Sequence, residues 1–281
     1  MMKRNRRKFD FKQIPISFAV ILFCVCTLFP LVITIILSLK SSVDFDKGIL
    51  SMPTSIHFEN YRFSMMILNQ NMLNSIVISI VIAVVAILIS SLSAFVFVRF
   101  NFPFKSFLFR SIIILMMVPG VLTLTSSFLN IQQLGLYNTR WAILLPGIAS
   151  NLVGSFFLFY TFMGQQPKEL FESAQIDGAS SLRAYFTIAL PLCIPIIIIQ
   201  FIGIFAAQYN DYLWPTLVIE DSSKQMLMPL LKDMANDLSV KYSNEAISYA
   251  LYICSGLPLV ATTIVGLKYF INGDFASGMK L

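Results

Sequence analysis

Six long stretches of mostly apolar residues alternate with shorter polar segments along the chain. A helix needs about 20 such residues to cross the hydrocarbon core of a bilayer, which is about 30 Å thick, and each stretch reaches that length. The sequence therefore predicts an all-α membrane protein with about six transmembrane helices. The predicted spans are residues 14–39, 72–98, 107–129, 141–163, 193–219 and 246–271.

The third stretch is the least regular, because Pro119 and Gly120 interrupt it. A proline removes one backbone donor, yet membrane helices tolerate a kink where neighbouring helices satisfy the freed carbonyl groups. We therefore expect one kinked span over residues 107–129.

The composition also favours lipid as the solvent. Of the 281 residues, 57% are hydrophobic and 12% are charged, whereas a soluble domain carries about 25% charged residues. The net charge of +6 would suit a nucleic-acid partner, but the basic residues lie in short loops between the apolar stretches. Membrane topology explains that placement better, so we expect no nucleic-acid partner.

The residue types needed for metal or nucleotide chemistry are scarce. The four cysteines lie within or beside apolar stretches, where cysteine behaves as a small apolar residue, and His57 is the only histidine. The sequence contains no GxxxxGK[ST] phosphate loop. We therefore expect no catalytic residue, no metal site and no ATP hydrolysis by that route in this chain.

The basic residues orient the chain in the membrane. With a cytoplasmic N-terminus, thirteen of the 20 Lys and Arg residues fall on the cytoplasmic side and seven on the other. The positive-inside rule thus places both termini in the cytoplasm. We predict a cytoplasmic basic head (1–13), one six-span domain (14–271) with a cytoplasmic loop at 164–192, and a cytoplasmic tail (272–281). The first stretch exceeds the length of a signal-peptide core, so we expect it to remain as a span.

The loop at 164–192 has the pattern of two short helices separated by a bend. Pro167 suits a first helical position, and Glu169 and Glu172 favour the positive end of the helix dipole. Gly178 can take the left-handed conformation that ends a helix.

Three small residues beside the bend, Ser173, Ala174 and Ala179, would let a partner's surface approach closely. In the second helix, we expect Leu182, Phe186 and Ala189 to share one face. Physical reasoning alone leaves open that such an amphipathic loop simply lies on the membrane.

The same loop resembles the EAA motif of ABC importer permeases, which runs E-A-A-x-x-D-G-A followed by a Phe and I-x-L-P. Ser173 stands in place of the first alanine, a small residue for a small residue. The matching positions are Glu172, Ala174, Asp177, Gly178, Ala179, Phe186, Ile188, Leu190, Pro191 and Pro195.

Further segments resemble the MalG-like carbohydrate permeases, in the same order as in that family. Tyr209 replaces the tryptophan of the family's W-N-x-[FY]-L-W-P. The similar segments are Asn74-Ser75, 97–103, 134–139, 209–215 and 268–280. The resemblance covers nearly the whole chain and implies the MetI-like fold of an ABC importer permease.

The resemblance also implies partners and a function. The permease would pair with a second permease subunit, two ABC ATPase subunits and an external solute-binding protein in a bacterial cell membrane. ATP and Mg²⁺ would bind the ATPase subunits, so this chain itself would hold no cofactor. Its coupling residues would be Glu172, Ser173, Ala174, Asp177, Gly178 and Ala179. The implied solute is a sugar or oligosaccharide, and glycerol phosphate or another polyol-like solute stays open. A self-sufficient secondary transporter is a weaker alternative, since the chain shows little intramembrane charge and no internal repeat.

Polar residues within the predicted spans are candidates for contact with solute or binding protein: Asn151, Tyr160, Asn210 and Asp211. Asp211 is the only carboxylate inside a predicted span, and an intramembrane acid is a functional hypothesis by default. It lies about 27 Å into the fifth stretch, which places it near the outer interface. Polar side chains in spans also join helices through hydrogen bonds, so a structural role is the competing interpretation for each.

Overall fold

The computed structural model describes residues 14–48 and 51–271 of the chain. Within those ranges the regular structure is entirely helical, as predicted. The predicted basic head (1–13) and tail (272–281) lie outside the described residues. The helices are α1 (Ile14–Ser38), α2 (Ser42–Asp46), α3 (Glu59–Arg99), α4 (Lys105–Met116), α5 (Gly120–Gln133), α6 (Trp141–Gly164), α7 (Glu169–Ile176), α8 (Ser181–Ala184), a π-helical turn (Tyr185–Ala189), α9 (Leu190–Leu192), α10 (Ile194–Tyr209), α11 (Leu213–Val218), α12 (Leu227–Tyr242) and α13 (Ala246–Ile271).

Four of the described helices are long and apolar enough to cross a membrane by themselves: α1, α3, α6 and α13. Two bent pairs, α4 with α5 and α8–α9 with α10, bring the number to six if each pair forms one span. The fold is thus an all-α membrane fold with four to six candidate spans. The prediction of about six agrees with the upper figure.

The kinked third span predicted at 107–129 is wrong in its geometry. Helices α4 and α5 meet at 100°, which is a broken span or a re-entrant loop rather than a kink. The break falls where Pro119 precedes the first residue of α5, with extended backbone at φ −63° and ψ 129°. Because proline lacks an N–H and disfavours helical backbone in the residue before it, Val118 and Pro119 end one helix and start another.

The fifth predicted span, 193–219, also differs from the structure. Its helical path begins earlier, at Ser181, bends by 74° between α9 and α10, and ends at Tyr209. Pro195 lies in the first turn of α10, where its missing N–H costs nothing, so a new helix begins there. At the other end, an Asp211 carboxylate oxygen accepts hydrogen bonds from the N–H groups of Leu213 and Trp214 and thereby starts the separate helix α11.

Helix α12 lies in a segment for which no helix was predicted. It is amphipathic: Leu227, Leu231 and Ala235 recur every four residues and are buried, while Lys232, Asp233 and the other charged residues are exposed. This spacing is the signal of a helix with one apolar face, but the stretch is too polar for a span. A prediction based only on membrane-spanning stretches therefore misses this helix.

The described chain divides into two compact units. The first contains residues 14–67 and 233–254 without 49–50, and the second contains 68–232 and 255–271. In the first unit, α1 exposes apolar side chains along nearly its whole length, as a lipid-facing helix does. In the same unit, the hydroxyl of Thr54 donates a hydrogen bond to the buried carboxylate of Asp44. This bond holds the pKa of that carboxyl well below its usual range.

The second unit holds a hydrophobic core. Buried side chains of α3, α6 and α10 meet there, among them Ile82, Ile143 and Ile204, and Ile131 of α5 is also buried. A ladder of rings lies beside them, with Phe97 and Phe156 5.1 Å apart edge to face. The loop that resembles the EAA motif is attached to this unit.

Candidate functional site

The loop between α6 and α8 places helix α7 just beyond the end of α6. Lys168 is the residue before the helix, and its carbonyl accepts from the N–H groups of Phe171 and Glu172. The helix thus starts at Glu169, and Pro167 lies outside it rather than at its first position. Glu169 and Glu172 occupy the first turn, where their charge favours the positive end of the helix dipole, as predicted.

Gly178 ends α7 in the left-handed conformation, with φ +76°, which confirms the prediction for this residue. The N–H of Ala179 donates to the carbonyl of Ala174 at 2.9 Å, and the N–H of Gly178 donates to Gln175 at 3.1 Å. These two bonds form a Schellman motif, which satisfies the last carbonyl groups of the helix. No atom lies within 4 Å of the place where a Cβ on Gly178 would stand, so backbone conformation alone selects glycine here.

The tip of this loop is open to solvent in the described chain. Glu172, Ser173 and Asp177 are exposed, while Ala174 and Ala179 are half-buried. Ile176 is 86% exposed. A large apolar side chain beside a carboxylate and small residues, on a short helix that projects from the core, is the composition of a contact surface. Ile176 is not among the contact residues predicted from the sequence.

The second half of the loop does not have the predicted apolar face. Leu182 and Phe186 are exposed, whereas Ala189 is buried. The cause is the π-helical turn over Tyr185–Ala189, which inserts an extra residue and shifts every later side chain around the helix. The spacing of an ordinary α-helix therefore misplaces Ala189 relative to the two residues before it.

Side chains at the base of the loop fix α7 to the core. The guanidinium of Arg99 lies over the ring of Phe171, 3.6 Å from its centre, and Nη2 of Arg99 donates to the carbonyl of Gln166 at 3.4 Å. The ring of Phe95 lies 6.2 Å from Phe171 and 5.4 Å from Tyr185. The start of α7 and the π-helical turn thus pack on the same stretch of α3.

Gln166 joins the end of α6 to the bent helix pair. Its Nε2 donates to the carbonyl of Ala189 and to Sγ of Cys193, each at 3.3 Å, and its side chain is buried. The hydroxyl of Tyr185 forms a second tie, 2.8 Å from Oγ of Ser91 on α3. Sequence reasoning missed Gln166, because a glutamine next to a proline at a loop entrance carries no signal of burial.

The four predicted solute-contact residues are not gathered into one site. Asn151 donates to the carbonyl of Gly147 on its own helix, and Asn210 does the same with Ala206. Tyr160 packs against Phe109, with ring centres 4.7 Å apart.

Asp211 lies near the opposite end of α6 from Tyr160. Nε1 of Trp214, which Asp211 helps to position, donates to the carbonyl of Ala142 at the start of α6. Tyr160 lies 18 residues further along that helix, which corresponds to about 27 Å. The contact that the structure gives Asp211 is the capping of α11.

The α11–α12 loop (219–226) is held at the same end of the unit by side-chain amides. Nδ2 of Asn71 donates to the carbonyls of Ser222 and Gln225, and Nδ2 of Asn74 donates to Ser223 and Gln225. The N–H of Leu227 donates to Oγ of Ser75 at 2.7 Å. Four hydrogen bonds from side-chain amides of α3 to backbone carbonyls therefore hold this loop against that helix.

Asn138 holds the other side of the α11–α12 loop. Its backbone is left-handed, with φ +57°, and its side-chain Oδ1 accepts from the N–H groups of Glu220 and Asp221. Asparagine tolerates this conformation better than most residues. In the neighbouring segment, Tyr137 donates to Glu220, and this bond raises the pKa of the tyrosine hydroxyl.

A polar cleft of about 480 Å³ opens beside the α11–α12 loop. It contains two cations and one exposed indole. Nη2 of Arg140 donates to Oδ1 of Asn74, and Nζ of Lys224 lies 3.3 Å from a carboxylate oxygen of Asp221. The lining residues are Gln70, Asn138, Thr139, Arg140, Trp141, Ser223 and Lys224.

Comparison with known proteins identifies the family. Residues 86–271 match the family described as "Binding-protein-dependent transport system inner membrane component". The "Arabinooligosaccharides transport system permease protein AraQ" of Halalkalibacterium halodurans is 30% identical over 99% of this chain and 100% of its own length. The "sn-glycerol-3-phosphate transport system permease protein UgpE" of Brucella abortus is 31% identical over 90% of this chain and 92% of its own length.

Two further comparisons agree with these. The "Probable ABC transporter permease protein YurM" of Bacillus subtilis is 27% identical over 99% of this chain and 92% of its own length. The crystal structure of a bacterial ABC transporter involved in the import of the acidic polysaccharide alginate contains a chain with the same fold. Its TM-score is 0.80 at 20% identity, covering 94% of this chain and 99% of that one. The chain belongs to the binding-protein-dependent transport system inner membrane components, the family of ABC importer permeases.

Proposed function

We propose that this chain is a transmembrane subunit of an ATP-driven importer of a sugar or oligosaccharide, coupled to separate ATPase subunits through the loop at 164–192. The observation that carries the proposal is the geometry of α7. Its tip is exposed and closed by a glycine-dependent bend, while its base is fixed to α3 by Arg99 and Phe171. A short helix with a fixed base and an open tip is suited to transmit the movement of a partner.

The coupling is mechanical in this proposal. Closure of the ATPase subunits around ATP would move α7 as a rigid body, and the ties from Gln166 to Ala189 and Cys193 would pass that movement to the bent pair α8–α10. The permease pair would then exchange inward-open for outward-open packing. ATP energy appears as a difference in solute affinity between the two states.

Glu172, Ser173, Ala174, Asp177, Gly178 and Ala179 form the proposed contact with the ATPase. ATP and Mg²⁺ belong to that partner, and this chain acts as a transporter rather than an enzyme. We place α7 and both termini on the cytoplasmic side, because that orientation gives the thirteen-to-seven distribution of basic residues. The polar cleft beside the α11–α12 loop then faces the external solute-binding protein.

Glycerol phosphate is the second candidate solute. Relatives named for arabinooligosaccharides, diacetylchitobiose and sn-glycerol-3-phosphate resemble this chain to similar degrees. A thermal-shift screen of the cognate binding protein against sugars, oligosaccharides and glycerol phosphate separates the two.

Reconstitution tests the proposed function. The chain is purified with its partner permease, with and without the ATPase subunits, and placed in liposomes with the loaded binding protein. We expect uptake only with ATP, ATPase and binding protein together. Uptake by the permeases alone would refute the proposal and favour a secondary transporter.

The orientation has its own test. In a cysteine-free background, Ser222→Cys on the α11–α12 loop and Gln175→Cys on α7 are each treated in intact cells with an impermeant thiol reagent. Both positions are exposed in the structure. We expect labelling at 222 and none at 175 until the cells are opened. The reverse pattern would invert the proposed topology.

A further inference from the structure

A second cleft, of about 250 Å³, lies where the end of α3, the start of α4 and the last turns of α6 meet. The proposed coupling does not use it. Two basic residues and the hydroxyl of Ser106 line one part, and three aromatic rings line the rest. The lining residues are Phe97, Lys105, Ser106, Phe109, Arg110 and Tyr160.

The basic residues of this cleft have no acidic partner among residues 14–48 and 51–271. Nζ of Lys105 donates to the carbonyl of Phe100 at 2.8 Å and to Oδ1 of Asn101 at 3.4 Å, both uncharged acceptors. Arg110 is exposed, and neither base forms an ion pair with a described carboxylate. Two uncompensated positive charges within one small cleft favour a ligand with a concentrated negative charge.

The aromatic walls give the cleft an apolar side. The ring of Phe109 lies 6.5 Å from Phe97 and 4.7 Å from Tyr160, so the three rings form one continuous surface. Tyrosine, with an apolar ring and a polar tip, is enriched where a membrane meets water. A ligand that fits here combines a negative group with an apolar body.

The position of the cleft along the spans agrees with that composition. Phe97 lies two residues from the end of α3, and Tyr160 lies four residues from the end of α6. At 1.5 Å per residue, these residues lie about 3–6 Å from the helix ends, and α6, which is about 36 Å long with its 24 residues, extends only a little beyond a hydrocarbon core of about 30 Å. Between and beyond the two bases, α4 exposes apolar side chains such as Phe107 and Ile114, 67% and 62% exposed, and has no buried residue.

We propose that this cleft binds the headgroup phosphate of an anionic phospholipid, with Lys105, Ser106 and Arg110 around the phosphate. The acyl chains lie along the exposed apolar face of α4. Free phosphate would gain nothing from the ring wall, and an acidic peptide would leave the apolar face of α4 uncovered. A phospholipid satisfies both parts of the site.

The test uses the assembled transporter in detergent and measures lipid adducts by native mass spectrometry. Phosphatidylglycerol is compared with phosphatidylcholine of the same acyl chains. For Lys105→Gln/Arg110→Gln we expect phosphatidylglycerol affinity to fall about thirtyfold, since each base near a membrane surface contributes about a fivefold preference for anionic lipid. Phosphatidylcholine binding should be unchanged.

Matched variants make the result specific. Arg62→Gln/Lys232→Gln removes the same charge from exposed positions outside the cleft and should bind phosphatidylglycerol as the wild type does. Lys105→Arg/Arg110→Lys keeps the charge and should retain most of the affinity.

Other outcomes would overturn the proposal. These are wild-type phosphatidylglycerol binding by the glutamine double variant, an equal loss for both lipids, or displacement of phosphatidylglycerol by inorganic phosphate at comparable concentration. If the glutamine double variant loses the ATPase subunits but still binds phosphatidylglycerol, the cleft is a peptide-binding site instead. As an independent readout, phosphatidylglycerol should raise the unfolding temperature of the wild type and not that of the glutamine double variant.

Discussion

The two loops at opposite ends of α6 and α10 are built in contrasting ways. Amides of α3 and Asn138 fix the α11–α12 loop along its length, from Glu220 to Gln225. The loop at 164–192 is held at its base by Arg99 and Gln166, and among the described residues the hydrogen bonds at its tip around Gly178 run within the loop itself. The α11–α12 loop is therefore held against the helix bundle, whereas the tip of the loop at 164–192 keeps its shape through its own hydrogen bonds.

This difference separates two mechanical roles. A loop with many side-chain ties to a long helix moves only when that helix moves, so it suits a stable docking surface. A loop with a rigid tip and a small base can tilt as a unit when a partner pushes it, because few contacts need to break. The proposed function uses the first as the external surface and the second as the lever.

The largest effect should follow from removing the amides that fix the α11–α12 loop. Asn71→Ala/Asn74→Ala deletes the four hydrogen bonds to the loop, together with the one that Asn74 accepts from Arg140, and leaves the carbonyl of buried Gln225 without its two amide donors. At about 1 kcal/mol for each bond, we expect a loss of about 2–4 kcal/mol of unfolding free energy. Thermal unfolding of the purified permease pair provides the measurement.

Asn151→Ala is the matched control, because its amide bonds within its own helix, to Gly147 and Ser150. We expect a shift of well under half that of the double variant. Equal shifts for the two would mean that the amides of α3 do not fix the loop.

A smaller effect is expected at the base of the coupling loop. Gln166→Leu fills much of the same space but leaves Ala189 and Cys193 without their donor, at a cost of about 1–3 kcal/mol. We expect a lower unfolding temperature and weaker solute-stimulated ATP hydrolysis. Gln165→Leu changes the exposed neighbour in the same way and should alter neither. If the two variants behave alike, Gln166 is not a tie between α6 and the bent pair.

The smallest expected effect is a gain in mobility of the α11–α12 loop at acid pH. The hydroxyl and N–H of Ser223, and then Lys224, hold the pKa of Asp221 below its ordinary value. A lowered folded-state pKa gives stability that is present above the unfolded pKa, about 3.9, and is lost as the pH falls through the folded value. We therefore expect the α11–α12 loop to loosen below about pH 4.

A fluorophore on Ser222→Cys measures that change by its anisotropy. In wild-type background the anisotropy should drop in acid, and Asp221→Asn should already give the lower value at neutral pH with a flat profile. An unchanged acid transition in Asp221→Asn would assign it to another group.

The features predicted from the sequence are those set by local composition. Apolar length predicted the long helices, and Gly178 was predicted to be left-handed because a helix with a polar start and a glycine end has few alternatives. The 100° break at Pro119 was underestimated, since a proline predicts an interruption but not its angle. The ties made by Gln166, Arg99 and Asn71 depend on residues 23–154 positions away in sequence, and no pattern in one sequence brings such partners together.

The π-helical turn shows a second limit. Reading Leu182, Phe186 and Ala189 as one face assumes the ordinary helical period, and one added residue at Tyr185–Ala189 breaks that assumption. The scattered positions of Asn151, Tyr160 and Asp211 show a third, because polar residues in different spans carry no information about which end of a helix they share.

The most direct test of the account is co-purification of the ATPase subunits with Gly178→Val and with Gly135→Val. Both glycines have positive φ, +76° and +66°, with nothing within 4 Å of an added Cβ, so each substitution imposes a similar backbone strain of about 1–3 kcal/mol. Only Gly178 sets the path of the proposed coupling loop. We predict that Gly178→Val loses the ATPase subunits while both variants keep the partner permease, and that Gly135→Val retains them. Wild-type recovery of the ATPase with Gly178→Val would contradict the assignment of this loop as the coupling element.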